Sequence, residues 1–205
     1  KIILAVDALD DASGLSSILY VLKKYKIPAT FFINGEFIRR YPKETVQIAK
    51  SGYECGSMFF TALDLTSKDF VVDEDFVRRG LARNEDEFFQ ATGKELSLLW
   101  HAPFYKADFE VKKAGKNCGY SYVEAGRFSL DTITLEEAAR GKPGYLSALE
   151  LVSFYAQNLE DGSVIPVCAG LSKGTRSDWL YEKLDLLVSL LLSNGYEFVA
   201  FYESL

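Results

Sequence analysis

Three times in this chain a helical stretch closes on a glycine that is followed at once by a tyrosine opening an apolar run: Ser51-Gly52-Tyr53, Cys118-Gly119-Tyr120 and Asn194-Gly195-Tyr196. A glycine just past a helix suits the left-handed backbone of a C-terminal cap, and a short apolar run after it reads as a buried strand. Joints of this kind are what repeated β-α units around a parallel sheet require. They restrict the chain to the α/β class, in which ligands gather at the opposite, carboxyl ends of the strands.

Periodicity gives about seven parallel strands, over 2–6, 29–33, 53–55, 96–100, 120–123, 164–168 and 198–201. Helices are expected over 15–25, 43–50, 74–92, 109–114, 146–158 and 180–193. These boundaries place 7–11, 34–36, 56–64, 101–105, 124–131 and 168–172 at ligand-facing strand ends. The stretch from Gly126 to Gly144 has weak periodicity, and Gly141-Lys142-Pro143-Gly144 reads as a turn. A length of 205 residues, 48% of them hydrophobic, suits one domain over residues 1–205 with a sizeable core.

Charge and composition remove several function classes. A net charge of −6 argues against nucleic acid or anionic lipid as partner, since phosphate binding draws on Lys and Arg. The pairs Lys23-Lys24 and Arg39-Arg40 read as solvated helix faces. No apolar run reaches the ~18 residues of a membrane span, and the start at Lys1 lacks the layout of a secretory signal. Cys55, Cys118 and Cys168 are odd in number and widely spaced, which suggests neither a disulfide framework nor a CxxC cluster. One histidine, His101, excludes any site that needs two.

The run Lys26-Ile27-Pro28-Ala29-Thr30-Phe31-Phe32-Ile33-Asn34-Gly35-Glu36, then Tyr41-Pro42 and Gly52-Tyr53-Glu54-Cys55-Gly56, resembles the polysaccharide deacetylase family, also called the NodB homology or carbohydrate esterase family 4 domain. Ala91-Thr92-Gly93-Lys94 and the closing 194–199 agree, so the resemblance covers nearly the whole chain. It implies a NodB-like distorted (β/α) barrel. In that family a divalent metal held by Asp, His and His activates water to remove acetyl groups from N-acetylated sugars, with a carboxylate as base. An extracytoplasmic location is implied by the resemblance alone.

Position by position, the family's chemistry is largely missing. Where the family has T-F-D-D-G this chain has Ala5-Val6-Asp7-Ala8-Leu9: Asp7 matches the base, and Ala8 stands at the metal-binding carboxylate. The H-x-x-x-H motif falls on Met58 and Ala62; alanine has no donor atom and a thioether is a soft ligand. R-x-P-Y-G becomes His101-Ala102-Pro103-Phe104-Tyr105, with His101 at the position of the arginine that orients the base. Ser129-Leu130-Asp131-Thr132 resembles S-x-D-W and matches Asp131, and the position of a histidine acid after a late strand leads instead to Cys168.

Each of these residues has a plain structural reading beside the functional one. Asp7 is a surviving base or ligand contact, or else a loop carboxylate; Asp10 and Asp11 read as caps of the helix starting near Gly14. His101 is a proton donor or sugar contact, or a structural ring; Cys168 is a nucleophile only if its pKa is lowered, and otherwise a small buried hydrophobe. Met58, Phe59 and Phe60 replace a polar cradle with apolar bulk. Trp100, Phe104, Tyr105, Tyr120, Tyr122 and Phe128, near strand ends, are core aromatics or sugar-stacking faces, with Trp100, Tyr105, Asp131 and Cys168 as the ligand-binding candidates.

The expectation is a deacetylase-like domain, catalytically impaired and without a cofactor, that binds a glycan or a protein partner. The alternative is a metal-independent deacetylase or amidohydrolase acting on the N-acetyl C–N bonds of a carbohydrate, with Asp7 as base and His101 as acid or electrostatic partner. A third reading, from the abrupt start at Lys1, is an interaction module beside flanking domains of a longer polypeptide.

Overall fold

The computed structural model describes residues 1–125, 130–142 and 144–201. Phe128 and Ser129, and the Pro143 of the expected turn, lie outside the described residues. In chain order the elements are β1 (Ile2–Ala8), α1 (Leu15–Tyr25), β2 (Thr30–Ile33), α2 (Gly35–Arg40), α3 (Pro42–Lys50), β3 (Glu54–Ser57) and α4 (Glu74–Thr92). There follow β4 (Leu99–Trp100), a 3-10 turn (Pro103–Tyr105), α5 (Phe109–Asn117), β5 (Ser121–Tyr122), α6 (Leu135–Ala139) and α7 (Ala148–Asn158). The chain closes with β6 (Ser163–Cys168), a second 3-10 turn (Leu180–Lys183) and α8 (Leu184–Ser193).

Two short helices, α2 and α6, escape a periodicity argument because neither completes two turns. Their caps were nevertheless written in the chain: Asn34 accepts from Glu36 N–H, and Thr134 with Glu137 forms a reciprocal capping box. The expected seventh strand, 198–201, reduces to one parallel bridge between Ile2 and Phe198, and Phe201 lies in a 3-10 turn. Asp10 and Asp11 do not cap α1. Its cap is Gly14, with no side-chain bond, while Asp10 pairs with Arg40 at 3.7 Å and Asp11 accepts from Tyr41 Oη at 3.0 Å.

The chain folds as two compact units. The first comprises Lys1–Asp7, Ala12–Thr30 and Ala125–Leu205. Here β1 runs parallel to β6, in register from Ile2 opposite Ser163 to Asp7 opposite Cys168. The unbroken run Ile-Ile-Leu-Ala-Val is buried throughout, as parallel strands covered on both faces demand. In α8, Leu184, Leu187, Val188 and Leu191 follow a helical i, i+3, i+4, i+7 stripe, are wholly buried, and pack the helix on α1 and α7. Each such side chain contributes roughly 1.5–3 kcal/mol.

The second unit comprises Ala8–Asp11 and Phe31–Glu124, with strands in the order β5-β4-β3-β2. Its core gathers Phe59, Leu65, Val77, Leu81, Trp100, Ala102, Val111, Ala114 and Tyr120. Asp73 caps α4 by accepting from Phe76 N–H. The three diagnostic glycines, Gly52, Gly119 and Gly195, have φ of 86°, 90° and 84°, and no atom lies within 4 Å of a Cβ built on any of them. Backbone conformation, not crowding, is therefore what demands glycine there.

Candidate functional site

Within the second unit, the strand ends are tied together by one buried amide. Asn34, just past β2, donates from its backbone N–H to the Ala8 carbonyl at 3.0 Å. Its side-chain Nδ2 donates to the carbonyls of Met58 and Phe59 at 2.9 and 3.0 Å, and its Oδ1 accepts from Glu36 N–H at 2.9 Å. From the other side, Ser57 Oγ accepts from Phe59 N–H at 3.1 Å and from Asn84 Nδ2 at 2.8 Å, and the same Nδ2 reaches the Ile33 carbonyl at 2.8 Å.

These bonds hold Phe59 at φ +62°, a left-handed conformation uncommon for a bulky residue. The Phe59 ring enters the core over Gly80, where an added Cβ would come within 2.0 Å of it. Phe60 is covered by the guanidinium groups of Arg39 and Arg83, 4.8 and 4.0 Å from the ring centroid. The corner at Met58–Ala62, where the family's H-x-x-x-H motif would fall, is thus built of carbonyl-directed hydrogen bonds and aromatic packing.

That corner does not fit a dication. The three matched ligand positions hold Ala8, Met58 and Ala62, of which Ala8 and Met58 are buried and neither alanine has a donor atom. The Ala62 N–H is itself engaged, donating to Glu36 Oε1 at 3.1 Å. Among the described residues no three His, Cys, Asp or Glu side chains converge in a group suited to a metal.

His101, at the end of β4, is wholly buried in this unit. Its ring stacks on Tyr105 at 4.0 Å between centroids and 7° between planes, and meets Phe32 edge-on at 4.5 Å. Nδ1 lies 2.9 Å from the Ala102 carbonyl, which only accepts, so Nδ1 carries a hydrogen.

Tyr105 stands where the family motif has glycine, and its φ is +56°, next to Phe104 at +58°. A backbone made for glycine is thus retained with a side chain on it, at a cost of about 1–3 kcal/mol per strained residue. The His101–Tyr105 stack opposes that cost. Trp100, by contrast, is wholly buried in the core, edge-on to Tyr122.

A second cluster belongs to the first unit and brings Asp7, Asp131 and Cys168 together. Asp131 is 1% exposed; its Oδ2 accepts from Cys168 N–H at 2.7 Å and its Oδ1 from Leu180 N–H at 3.3 Å. Burial pushes its carboxyl up to about 6, with the Asp7 charge adding to the rise, against the two N–H donors and the Arg176 charge that pull it down. Burial, with Asp131 and Asp7 nearby, also raises the Tyr155 phenol. Arg176 uses its guanidinium on the carbonyls of Ile133, Leu146 and Asp178 and so fixes three segments around the cluster. Cys168 is buried, and its Sγ donates to the Gly170 carbonyl at 3.3 Å, the arrangement of a thiol at rest.

With both clusters described, the chain can be set beside known proteins. The sequence profile of the family described as polysaccharide deacetylase matches residues 1–123, more than half of the chain. The chain belongs to the polysaccharide deacetylase family. This deacetylase-family chain is 30% identical over 106 residues to the peptidoglycan-N-acetylmuramic acid deacetylase PdaA of Bacillus subtilis (strain 168), a match that covers 52% of this chain and 39% of PdaA. It is 26% identical over 196 residues, 95% of this chain and 83% of the relative, to a peptidoglycan-N-acetylglucosamine deacetylase of Bacillus cereus. The crystal structure of wild-type BA3943, a CE4 family pseudoenzyme from Bacillus anthracis, superposes with a TM-score of 0.76 at 18% identity, over 98% of this chain and 64% of that one.

The structural likeness shows the NodB-like (β/α) barrel fold, with six strands found against about seven expected. The chain spans less than two thirds of PdaA and of BA3943. Among the described residues no helix is long and apolar enough to cross a membrane. Sequence reasoning placed Asn34 at a ligand-facing strand end without giving it a role and did not single out Arg176; both roles depend on which carbonyls the fold delivers to them.

Proposed function

We propose that this polysaccharide deacetylase-like domain has lost metal-dependent hydrolysis and retains the binding of an N-acetylated glycan. The observation that carries this reading is the donor set: the positions matched to the metal ligands hold Ala8, Met58 and Ala62, in a corner closed by the Asn34 amide and the inserted Phe59 ring. A harder ligand set is what Zn²⁺ or Co²⁺ requires. Support for a glycan rather than a protein partner comes from the relatives, two of which bear names placing them on peptidoglycan sugars.

The test combines three measurements on one preparation. After incubation with zinc or cobalt and dialysis, elemental analysis is expected to find well under one metal per chain, and a tetramer of N-acetylglucosamine is expected to bind without acetate release. Stoichiometric metal overturns the reading. Acetate release that is metal-independent and abolished by Asp7→Asn establishes instead a metal-free hydrolase with Asp7 as base.

A further inference from the structure

The chain holds two Asn-Gly pairs, Asn34-Gly35 and Asn194-Gly195, and the fold places them in opposite surroundings. Asparagine followed by glycine is a chemically labile pair: with no Cβ in the way, the glycine nitrogen can reach the asparagine side-chain carbon. An N–Cγ bond forms as the glycine N–H proton is lost, the Cγ–Nδ2 bond breaks, and ammonia leaves. Water then opens the five-membered imide, at Cγ to give aspartate or at the backbone carbonyl carbon to give isoaspartate. The net change is water in and ammonia out, with an amide replaced by a carboxylate.

Packing forces this pair on the corner between β2 and α2. Residue 35 has to be glycine, because a Cβ there would come within 2.4 Å of the Phe60 ring and 2.6 Å of the Phe60 carbonyl oxygen. Residue 34 has to carry an amide, because Nδ2 serves the carbonyls of Met58 and Phe59 while Oδ1 accepts from Glu36 N–H. Among side chains of that size only asparagine offers two N–H donors together with an acceptor.

We propose that Asn34-Gly35 is a latent self-modification site, kept silent by the native corner and released when the second unit opens. Every group that the reaction must move is engaged. The nucleophile, the Gly35 N–H, donates to the Phe59 carbonyl at 3.2 Å. The leaving nitrogen makes two hydrogen bonds, at 2.9 and 3.0 Å, and the Oδ1 bond to Glu36 N–H holds the side chain as the cap of α2. Water, the co-reactant, is shut out as well: Asn34 is 0% exposed, Gly35 is buried, and Phe60, which covers Gly35, is itself flanked by Arg39 and Arg83. Asn194-Gly195 is the same pair unguarded. Both residues are exposed at the end of α8, and the Asn194 side chain makes no hydrogen bond among the described residues. Conversion at position 34 also blocks return to the native corner, since a carboxylate has no N–H to give and meets the Met58 and Phe59 carbonyls acceptor to acceptor.

The test holds native protein, and protein unfolded in urea, at mildly alkaline pH and follows both sites by peptide mass spectrometry with electron-transfer fragmentation, which separates asparagine, aspartate and isoaspartate. Asn34 is expected to convert at least about a hundredfold more slowly in the native protein than in urea, since core openings are that rare, while Asn194 differs by less than about fivefold between the two. Phe60→Ala, which uncovers Gly35, is expected to raise the native rate at Asn34 about tenfold or more and to leave Asn194 unchanged, with circular dichroism to check folding; the wild-type comparison does not depend on that variant. Asn34→Asp, the product itself, is expected to unfold at lower urea than the wild type. Equal rates at Asn34 in native and unfolded protein overturn the proposal, as does protection of Asn194 equal to that of Asn34. An Asn34→Asp variant with the wild-type urea midpoint overturns it too.

Discussion

The contribution of Asp131 to stability is expected to fall as pH rises across the weakly acidic range. Its carboxyl, 1% exposed, sits at about 6 in the folded state against an ordinary 3.8, so between those values the native state holds more proton than the unfolded chain. For a raised acid the linkage slope is negative: the penalty begins above pH ~4 and is complete above pH ~6. A difference of about two pH units at 1.36 kcal/mol each gives about 3 kcal/mol in all, of which about 2 kcal/mol falls between pH ~4.5 and ~7. Burial this complete leaves little solvent to screen the effect. Carboxylates such as Glu136, lowered to about 2 by the Thr175 N–H, have the opposite slope, so the measurement must be a difference. Urea unfolding at several pH values, in wild type and Asp131→Asn, isolates it: the wild type is expected to lose about 2 kcal/mol more than the variant from pH ~4.5 to ~7. Parallel curves would show that Asp131 is ordinary in acidity and that the two N–H donors offset burial.

Other outcomes follow from the second unit and from the thiol. Gly80→Ala removes a poor helix former from α4, yet its Cβ would come within 2.0 Å of the Phe59 ring, so denaturant unfolding is expected to show a loss of about 1–3 kcal/mol rather than a gain. Asn34→Ala forfeits three side-chain hydrogen bonds and takes the Asn34 donor from the Met58 carbonyl, while the Phe59 carbonyl keeps the Gly35 N–H at 3.2 Å; a loss of roughly 1–3 kcal/mol is expected by the same assay. The triple variant Ala8→Asp, Met58→His, Ala62→His puts a carboxylate and two imidazoles at the matched positions; calorimetry with zinc is expected to detect binding by the variant and none by the wild type. Cys168, buried with its Sγ on the Gly170 carbonyl, is expected to resist iodoacetamide in the folded protein and to react on unfolding.

Much of the fold could be read from the chain because its signals are local. The helices Leu15–Tyr25 and Glu74–Thr92 stand where apolar spacing and flanking glycine or aspartate put them. Strand limits were harder: β4 and β5 shrink to two residues each, since a ladder forms only where the neighbour's carbonyls come into register, and no window of sequence contains that information. The candidate site divides in the same way. The loss of donors at Ala8, Met58 and Ala62 is visible in residue identity alone, as is the match at Asp131. The acidity of Asp131 is not, because it depends on burial and on N–H groups from residues 168 and 180. Nor does sequence reveal that Tyr105 keeps a glycine's backbone in order to stack on His101.

The Asn34 amide has a consequence for how this domain responds to its surroundings. Any ion that binds only the folded state makes stability a function of that ion's free concentration. In the second unit the carbonyls of Met58 and Phe59 are held by a group that is part of the polypeptide, present at fixed stoichiometry from synthesis onward. On the reading proposed above, a chelator is therefore expected to leave the stability of this corner unchanged, because its carbonyls are held by a side chain and not by an ion.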